Sequence, residues 1–401
     1  MNARFLWSAL IIASLATAFR PAVVQAQLAT ETIRPLVDTL ASPYMGGRGY
    51  VDSGLYRAAA FIEDFFKQVD LRPAPGARHY RQVFTHSVNT FNGSARLSIN
   101  GNDLLSGKDF VVHPGSRGIK GVGQLQLLDS IRWIDAANRL VIEKADKLTW
   151  GVSTTQDNYT LCQVLSTALP KNPTQYEISL DATLIESFAS PNIIAYVPGT
   201  AVADSFLVLT AHYDHLGKLG TLEQSEPAIF YGANDNASGL ATLLAMARYL
   251  SQNPLRYSVL FIAFAGEEAG LLGSKYFTQN PLVPLKKMRF LVNLDLLGTG
   301  EEGIMVVNAT EFTAEFLLLE SLNQKQPQPL AKIGQRGKAA NSDHYWFSEA
   351  GVPSFFIYTL GGINAYHDIY DRRETLPLTC TATVANMLVA FFAALSGTPS
   401  R

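Results

Sequence analysis

SFLVLTAHYDHLG, residues 205–217, begins as a near-continuous apolar run and stops at a histidine. A strand that is apolar on both sides belongs inside a parallel sheet covered on both faces. The pattern repeats outward from this stretch. Ser258–Ala265 is a second such run, and Asn192–Val197, Arg289–Leu294, Gly303–Val307 and Val352–Tyr358 also read as strands. Ser238–Leu250, Leu271–Gln279, Glu311–Leu322, Ser342–Glu349 and Thr379–Leu395 read as helices. In the first of these, Leu240, Leu243, Leu244 and Ala247 share one face. Strands alternating with helices predict an α/β fold, a mostly parallel sheet sandwiched by helices. In such sheets, ligand crevices open at the carboxyl ends of the strands.

Upstream the pattern changes. Thr30–Leu40 and Ser53–Val69 read as amphipathic helices, separated by the glycine-rich Tyr44-Met45-Gly46-Gly47-Arg48-Gly49. That loop does not sit between a strand and a helix, which argues against a phosphate cradle. Residues 82–187 carry short alternating strands such as Ala95–Ile99 and Gly123–Leu128 and read as a β-rich insert. Met1–Arg4 is basic, Phe5–Phe19 is apolar but shorter than the ~20 residues that span a bilayer, and Val24-Gln25-Ala26 offers a small-residue cleavage site. This is the pattern of a secretory signal peptide cut near Ala26, with a secreted or periplasmic destination and no membrane attachment afterwards. The expected organisation is therefore a signal peptide over 1–26, an N-terminal helical part over 27–81, an insert over 82–187 and a main domain over 188–401.

Composition excludes other classes. The 401 residues are 47% hydrophobic and 16% charged, which suits a large core and not a disordered chain. The net charge is -2 and no Lys/Arg run occurs, so nucleic acid has no electrostatic footprint here. The two cysteines, Cys162 and Cys380, are too few for a disulfide scaffold or a thiolate zinc site, and whether they pair stays open. Asn92, Asn158 and Asn308 open glycosylation-type tripeptides that carry no weight without a known host.

Polar residues gather where the strands end. His212 follows one apolar run, and Asp214 stands where it can brace the His212 ring by accepting its second N–H. In Gly232–Gly239 either Asn236 or Ser238 can open the following helix, which frees Asp235 to face a pocket. Glu267 and Glu268 follow Ser258–Ala265, where paired carboxylates are costly without a cation or solvent. Asp295 sits between leucines, and His367 follows the Gly361-Gly362 turn. His212, Asp235, Glu268, Asp295 and His367 thus form a nitrogen–oxygen ligand set without cysteine, suited to zinc at a catalytic site and larger than one ion needs. Glu267 is left over beside a ligand, where a general base belongs.

The segments AHYDHLG (211–217), GANDNASG (232–239), AGEEAGLLGSKYF (265–277), NLDLLG (293–298), NSDHYWF (341–347) and AYHDIYDRRETL (365–376) together resemble the M28 family of zinc metallopeptidases, the aminopeptidases with two co-catalytic metals. The resemblance runs from about Asn192 to the C-terminus. It implies a zinc-exopeptidase fold of the phosphorylase/hydrolase-like type, two Zn²⁺ per chain and peptide substrates. It implies that His212 and Asp295 bind one zinc, that Glu268 and His367 bind the other, and that Asp235 bridges them. Glu267 is then the general base, and Tyr366 helps stabilise the developing oxyanion. Asp343 and His344 match a family motif but receive no role. Two departures stand out. Leu296 replaces the common Met, which is closer to the single-zinc glutaminyl cyclases of the same fold, and the 82–187 insert lies where many members carry a protease-associated domain. A secreted aminopeptidase is the expected function. Glutaminyl cyclase, a carboxypeptidase or dipeptidase, and a non-enzymatic binding protein are the alternatives.

Overall fold

The computed structural model describes residues 28–220 and 228–397. The segment read as a signal peptide lies outside the described residues. A nine-stranded mixed sheet forms the centre. Its four middle strands run in the order Tyr257–Phe264, Val202–His212, Met288–Leu294 and Ser354–Leu360, and all are parallel. The flanks are different. Thr183–Val197 pairs antiparallel with Tyr257–Phe264 on one side, and Gly303–Val307 pairs antiparallel with Ser354–Leu360 on the other. The mostly parallel sheet expected from the sequence is thus parallel in the middle, where the apolar runs are longest. The outermost strand Ile333–Arg336 is largely solvent-facing and was not legible as an apolar run.

Both faces are covered, which explains why the central strands are apolar throughout. Leu207, Leu209, Val259, Phe261, Phe290 and Val292 point into a core shared with the helices Thr30–Leu40, Gly54–Gln68, Gly239–Gln252, Thr313–Asn323 and Thr381–Leu395. The alternate residues Phe206, Val208, Leu260 and Ile262 pack with Phe277 and Phe347 from the short helices Leu272–Gln279 and His344–Glu349. This two-sided alternation is the strand period of two.

Chain order also locates the site. After Val202–His212 the chain crosses to Tyr257–Phe264 on one side, then to Met288–Leu294 on the other. The carboxyl end of Val202–His212 is therefore a topological switch point, the place where open α/β sheets leave a crevice.

Two smaller sheets, of five and four strands, lie within the stretch read as a β-rich insert. Its outer strands do not leave the main body: Arg81–Thr90 pairs with Thr183–Ile193 along the edge of the main sheet. The small sheets have their own core around Leu97, Val112, Ile142, Trp150 and Val164. Leu216, Leu219, Ala228 and Phe230, which flank or form the Gly217–Leu219/Ala228–Phe230 hairpin, are part of that same core.

Candidate metal centre

The strand ends bring His212, Asp235, Glu267, Glu268, Asp295 and His367 into one cluster. His212 closes its strand and Asp295 follows Leu294 directly. Asp235 lies in the irregular turn Ala233–Ser238 ahead of a helix. Asn236 supplies the helix-opening contact, its Oδ1 accepting the Gly239 N–H at 3.0 Å. The Asp235 carboxylate is thereby free, and its two oxygens face different histidines. Oδ1 lies 3.3 Å from His212 Nε2, and Oδ2 lies 3.2 Å from His367 Nε2. The same two nitrogens meet one further carboxylate each: His212 Nε2 is 3.3 Å from Asp295 Oδ1, and His367 Nε2 is 3.2 Å from Glu268 Oε2.

These four separations exceed a direct charge-assisted hydrogen bond of about 2.7–2.9 Å. They are close to the edge of a tetrahedron of nitrogen and oxygen ligands around a cation. At ligand distances of about 2.0–2.2 Å that edge is about 3.3–3.6 Å. Among the described residues, one donor atom each from His212, Glu267 and Asp295 lies within 4.8 Å of the others, and the same holds for His215, Asp235 and Glu268. The donors present therefore fit divalent cations.

Charge gives the same answer. Burial, then the neighbouring carboxylates, push Glu267 well above its ordinary value. Burial and Asp235 push Glu268 up to about 8, and burial raises Asp295. Burial opposes a charge on His367, yet Glu268 and Asp235 bring it up to about 9. His212 is likewise raised against its burial, chiefly by Asp295 and Glu267. Asp235 is held well below its ordinary value despite burial, because His212 and His367 flank it. Without ions the cluster draws protons to offset crowded negative charge, and a bound cation would meet the same need.

Behind the cluster is a buried polar scaffold. The Asp214 carboxylate is 3.8 Å from His212 Nδ1, whose nearer partner is the Asp214 carbonyl at 3.2 Å. The carboxylate that the sequence reading placed against the ring instead accepts the Tyr50 hydroxyl at 2.9 Å and the Glu267 and Glu268 N–H groups at 3.2 and 3.3 Å. It braces the turn that carries both glutamates. Ser342 donates to Asp295 Oδ2 at 3.1 Å and itself accepts from Asn293. Asp371 accepts the Asn234 and Asp235 N–H groups at 2.8 and 3.0 Å, and burial raises it to about 7. The His367 ring is held through Nδ1 by the Trp150 carbonyl at 3.0 Å.

The glycine-rich loop has a structural task that its sequence did not disclose. Gly46 and Gly47 adopt left-handed conformations, and a Cβ on Gly47 would strike the Phe230 carbonyl. The loop thereby delivers Arg48, fully buried, whose guanidinium donates to the carbonyls of Leu40, Tyr213, Tyr231, Gly232 and Asp235. Burial lowers Arg48 to about 10 although Asp235 and Asp371 oppose it.

Tyr366 is 45% exposed at the rim, and its ring stacks on His367 with centroids 4.0 Å apart. Asp343 and His344 are buried beside the centre, pushed by burial to about 7 and about 4 respectively. His215, Arg48, Tyr50, Asp371 and Trp150 were missed as site residues. His215 and Asp371 lie inside quoted motifs and Arg48 inside the glycine-rich stretch, whereas nothing local marks Tyr50 and Trp150.

The family model described as Peptidase family M28 matches residues 192–392. Aminopeptidase YwaD from Bacillus subtilis (strain 168) is 31% identical over 188 residues, covering 45% of this chain and 38% of the relative. A probable leucine aminopeptidase from Arthroderma otae is 30% identical over 213 residues, covering 50% of this chain and 56% of the relative. The chain thus spans less than two thirds of either relative. Among solved structures, BSAP, a zinc aminopeptidase from Bacillus subtilis, superposes with a TM-score of 0.66 at 19% identity, covering 92% of this chain and 95% of that one. At that identity the likeness speaks for the fold.

Proposed function

The chain belongs to peptidase family M28, and on that premise we propose that it is a secreted, zinc-dependent aminopeptidase that removes N-terminal residues from peptides. The observation that carries this reading is the division of Asp235, one oxygen toward His212 and the other toward His367. A carboxylate so placed would hold an ion on each side, with His212 and Asp295 as partners for one and His367 and Glu268 for the other. This supports two zinc ions over the single ion of a glutaminyl cyclase. Secretion rests on the basic, apolar and small-residue sequence of 1–26.

Zinc bound there supplies a Lewis acid that polarises the scissile carbonyl and acidifies water. The remaining steps belong to the chain. Glu267 takes the proton from the attacking water and returns it to the leaving amine. Asp214 holds the Glu267 backbone by its N–H, so the base is presented from a fixed turn. Tyr366, stacked on His367, offers its hydroxyl to the developing oxyanion at the rim. Carboxylates not neutralised by zinc attract the free α-ammonium of a substrate, which favours trimming from the N-terminus.

The test is hydrolysis of an aminoacyl-chromophore panel by residues 27–401, before chelation, after chelation and after zinc is restored. Activity that disappears and returns supports the reading. Inactivity on every member, with zinc bound, rejects the aminopeptidase and points to a free carboxyl end or to cyclase chemistry.

A further inference from the structure

His215 is a histidine in the cluster that the proposed ligands leave unused. It is fully buried. Its Nδ1 lies 2.7 Å from Glu268 Oε1, clearly shorter than the 3.2–3.3 Å contacts among the candidate ligands. A Glu268 carboxylate that binds a cation is ionised and only accepts, so in that state Nδ1 carries the proton and donates it. Nε2 has no hydrogen-bond partner among the described residues. Glu268 is thus the polar partner that accounts for an imidazole in this position. The fold also makes room for it: Gly232 is left-handed at φ +59, and a Cβ there would overlap the His215 ring. The ring stands edge-on to His367, with centroids 5.8 Å apart and planes at 77°.

We propose that His215 is a positioning residue that holds Glu268 by one oxygen, so that the other is presented beside His367 and Asp235 to the second metal. A carboxylate free to turn about its last torsion can meet an ion through either oxygen or both. With Oε1 engaged by His215, Oε2 is the oxygen that remains, and it is the one 3.2 Å from His367 Nε2. The role is confined to one half of the centre, because among the described residues the His215 ring hydrogen-bonds to Glu268, whereas His212 Nε2 faces Asp235 and Asp295. It rests on the two-zinc reading above.

The experiment is zinc titration against a competing chelator, with metal content measured on the wild-type chain, His215→Leu and His215→Asn. Leu fills similar volume without a donor, whereas the Asn amide can donate from near the position of Nδ1. The wild type is expected to bind two zinc ions. In His215→Leu the first should bind as before and the second about 10–100-fold more weakly, the usual loss when a supporting hydrogen bond to a ligand is removed. His215→Asn should regain most of the difference. Equal affinities in His215→Leu and wild type overturn the proposal, and so does joint loss of both ions in a folded variant. If His215→Leu does not fold, His215→Asn decides: a second affinity within tenfold of wild type supports the proposal, and a hundredfold loss in a folded chain overturns it. A wild-type chain that binds fewer than two zinc ions rejects the two-zinc reading itself, and the proposal with it.

Discussion

Trp150 and His367 hold each other through two hydrogen bonds: the Trp150 N–H donates to the His367 carbonyl at 2.9 Å, and His367 Nδ1 lies 3.0 Å from the Trp150 carbonyl. The tryptophan belongs to the core of the small sheets, where its indole donates to the Val112 carbonyl at 2.8 Å and its ring meets Phe230 at 4.6 Å. A candidate ligand of the main body is therefore oriented from the β-rich insert.

Trp150→Ala is expected to lose about 3–5 kcal/mol of stability, the usual result of emptying a buried aromatic site. It should also weaken the zinc on the His367 side and leave the His212 side intact. Trp150→Phe keeps most of the packing and loses the indole hydrogen bond, about 1 kcal/mol. Urea unfolding and zinc content measured on both variants check this. A Trp150→Ala chain with unchanged stability and metal content would contradict it.

Glu267→Gln keeps the shape of the side chain but cannot take up a proton. Turnover should fall by about 10²–10⁴-fold, the range supplied by a general base, while both zinc ions stay bound. Steady-state rates together with metal analysis decide the point. More than a few per cent residual activity removes Glu267 from the role of base.

Arg48→Met would remove the guanidinium from five main-chain carbonyls, of which Gly232 keeps the Ala237 N–H. Each unsatisfied buried group costs about 1–3 kcal/mol, so the variant should be unfolded or unstable by several kcal/mol. Arg48→Lys keeps the charge but not the planar fork and should fall between. Circular dichroism during urea unfolding ranks the three chains. Near-equal midpoints would show that the guanidinium contacts contribute little.

Cys162 and Cys380 are both free thiols. Burial pushes Cys162 up to about 12, and burial also raises the half-buried Cys380. At pH 8 a thiol reagent should label Cys380 slowly and leave Cys162 untouched until the chain unfolds. The folded chain retains the Cys162 proton above pH 9, where the unfolded chain releases it. Stability should therefore fall above about pH 9, by about 1.4 kcal/mol per pH unit from this group until about pH 12. Labelling kinetics and unfolding of Cys162→Ala against wild type at pH 8 and pH 10 test both statements.

Much of the main domain was legible because its signals are local. A strand buried on both faces is a continuous apolar run, so Ser205–Ala211 and Ser258–Ala265 announced themselves, and the polar residues that follow such runs necessarily reach the same end of the sheet. The edge strand Ile333–Arg336 has no such run, since solvent covers much of it. Asp214 was read through its neighbour in sequence, but its carboxylate turns to Tyr50 and to the glutamate turn, which are distant along the chain. Arg48 and Trp150 gave no sign because what they grip is main chain. Carbonyls carry no residue code, so their partners cannot be read from a pattern of side chains.

Arg48 also bears on when the centre can exist. Its partners Tyr213 and Asp235 follow it by 165 and 187 residues. Contacts of such separation form only after a long loop has closed, and they make assembly slow. A nascent or partly folded chain thus carries every residue of the proposed centre and no backbone frame to hold Asp235 in place.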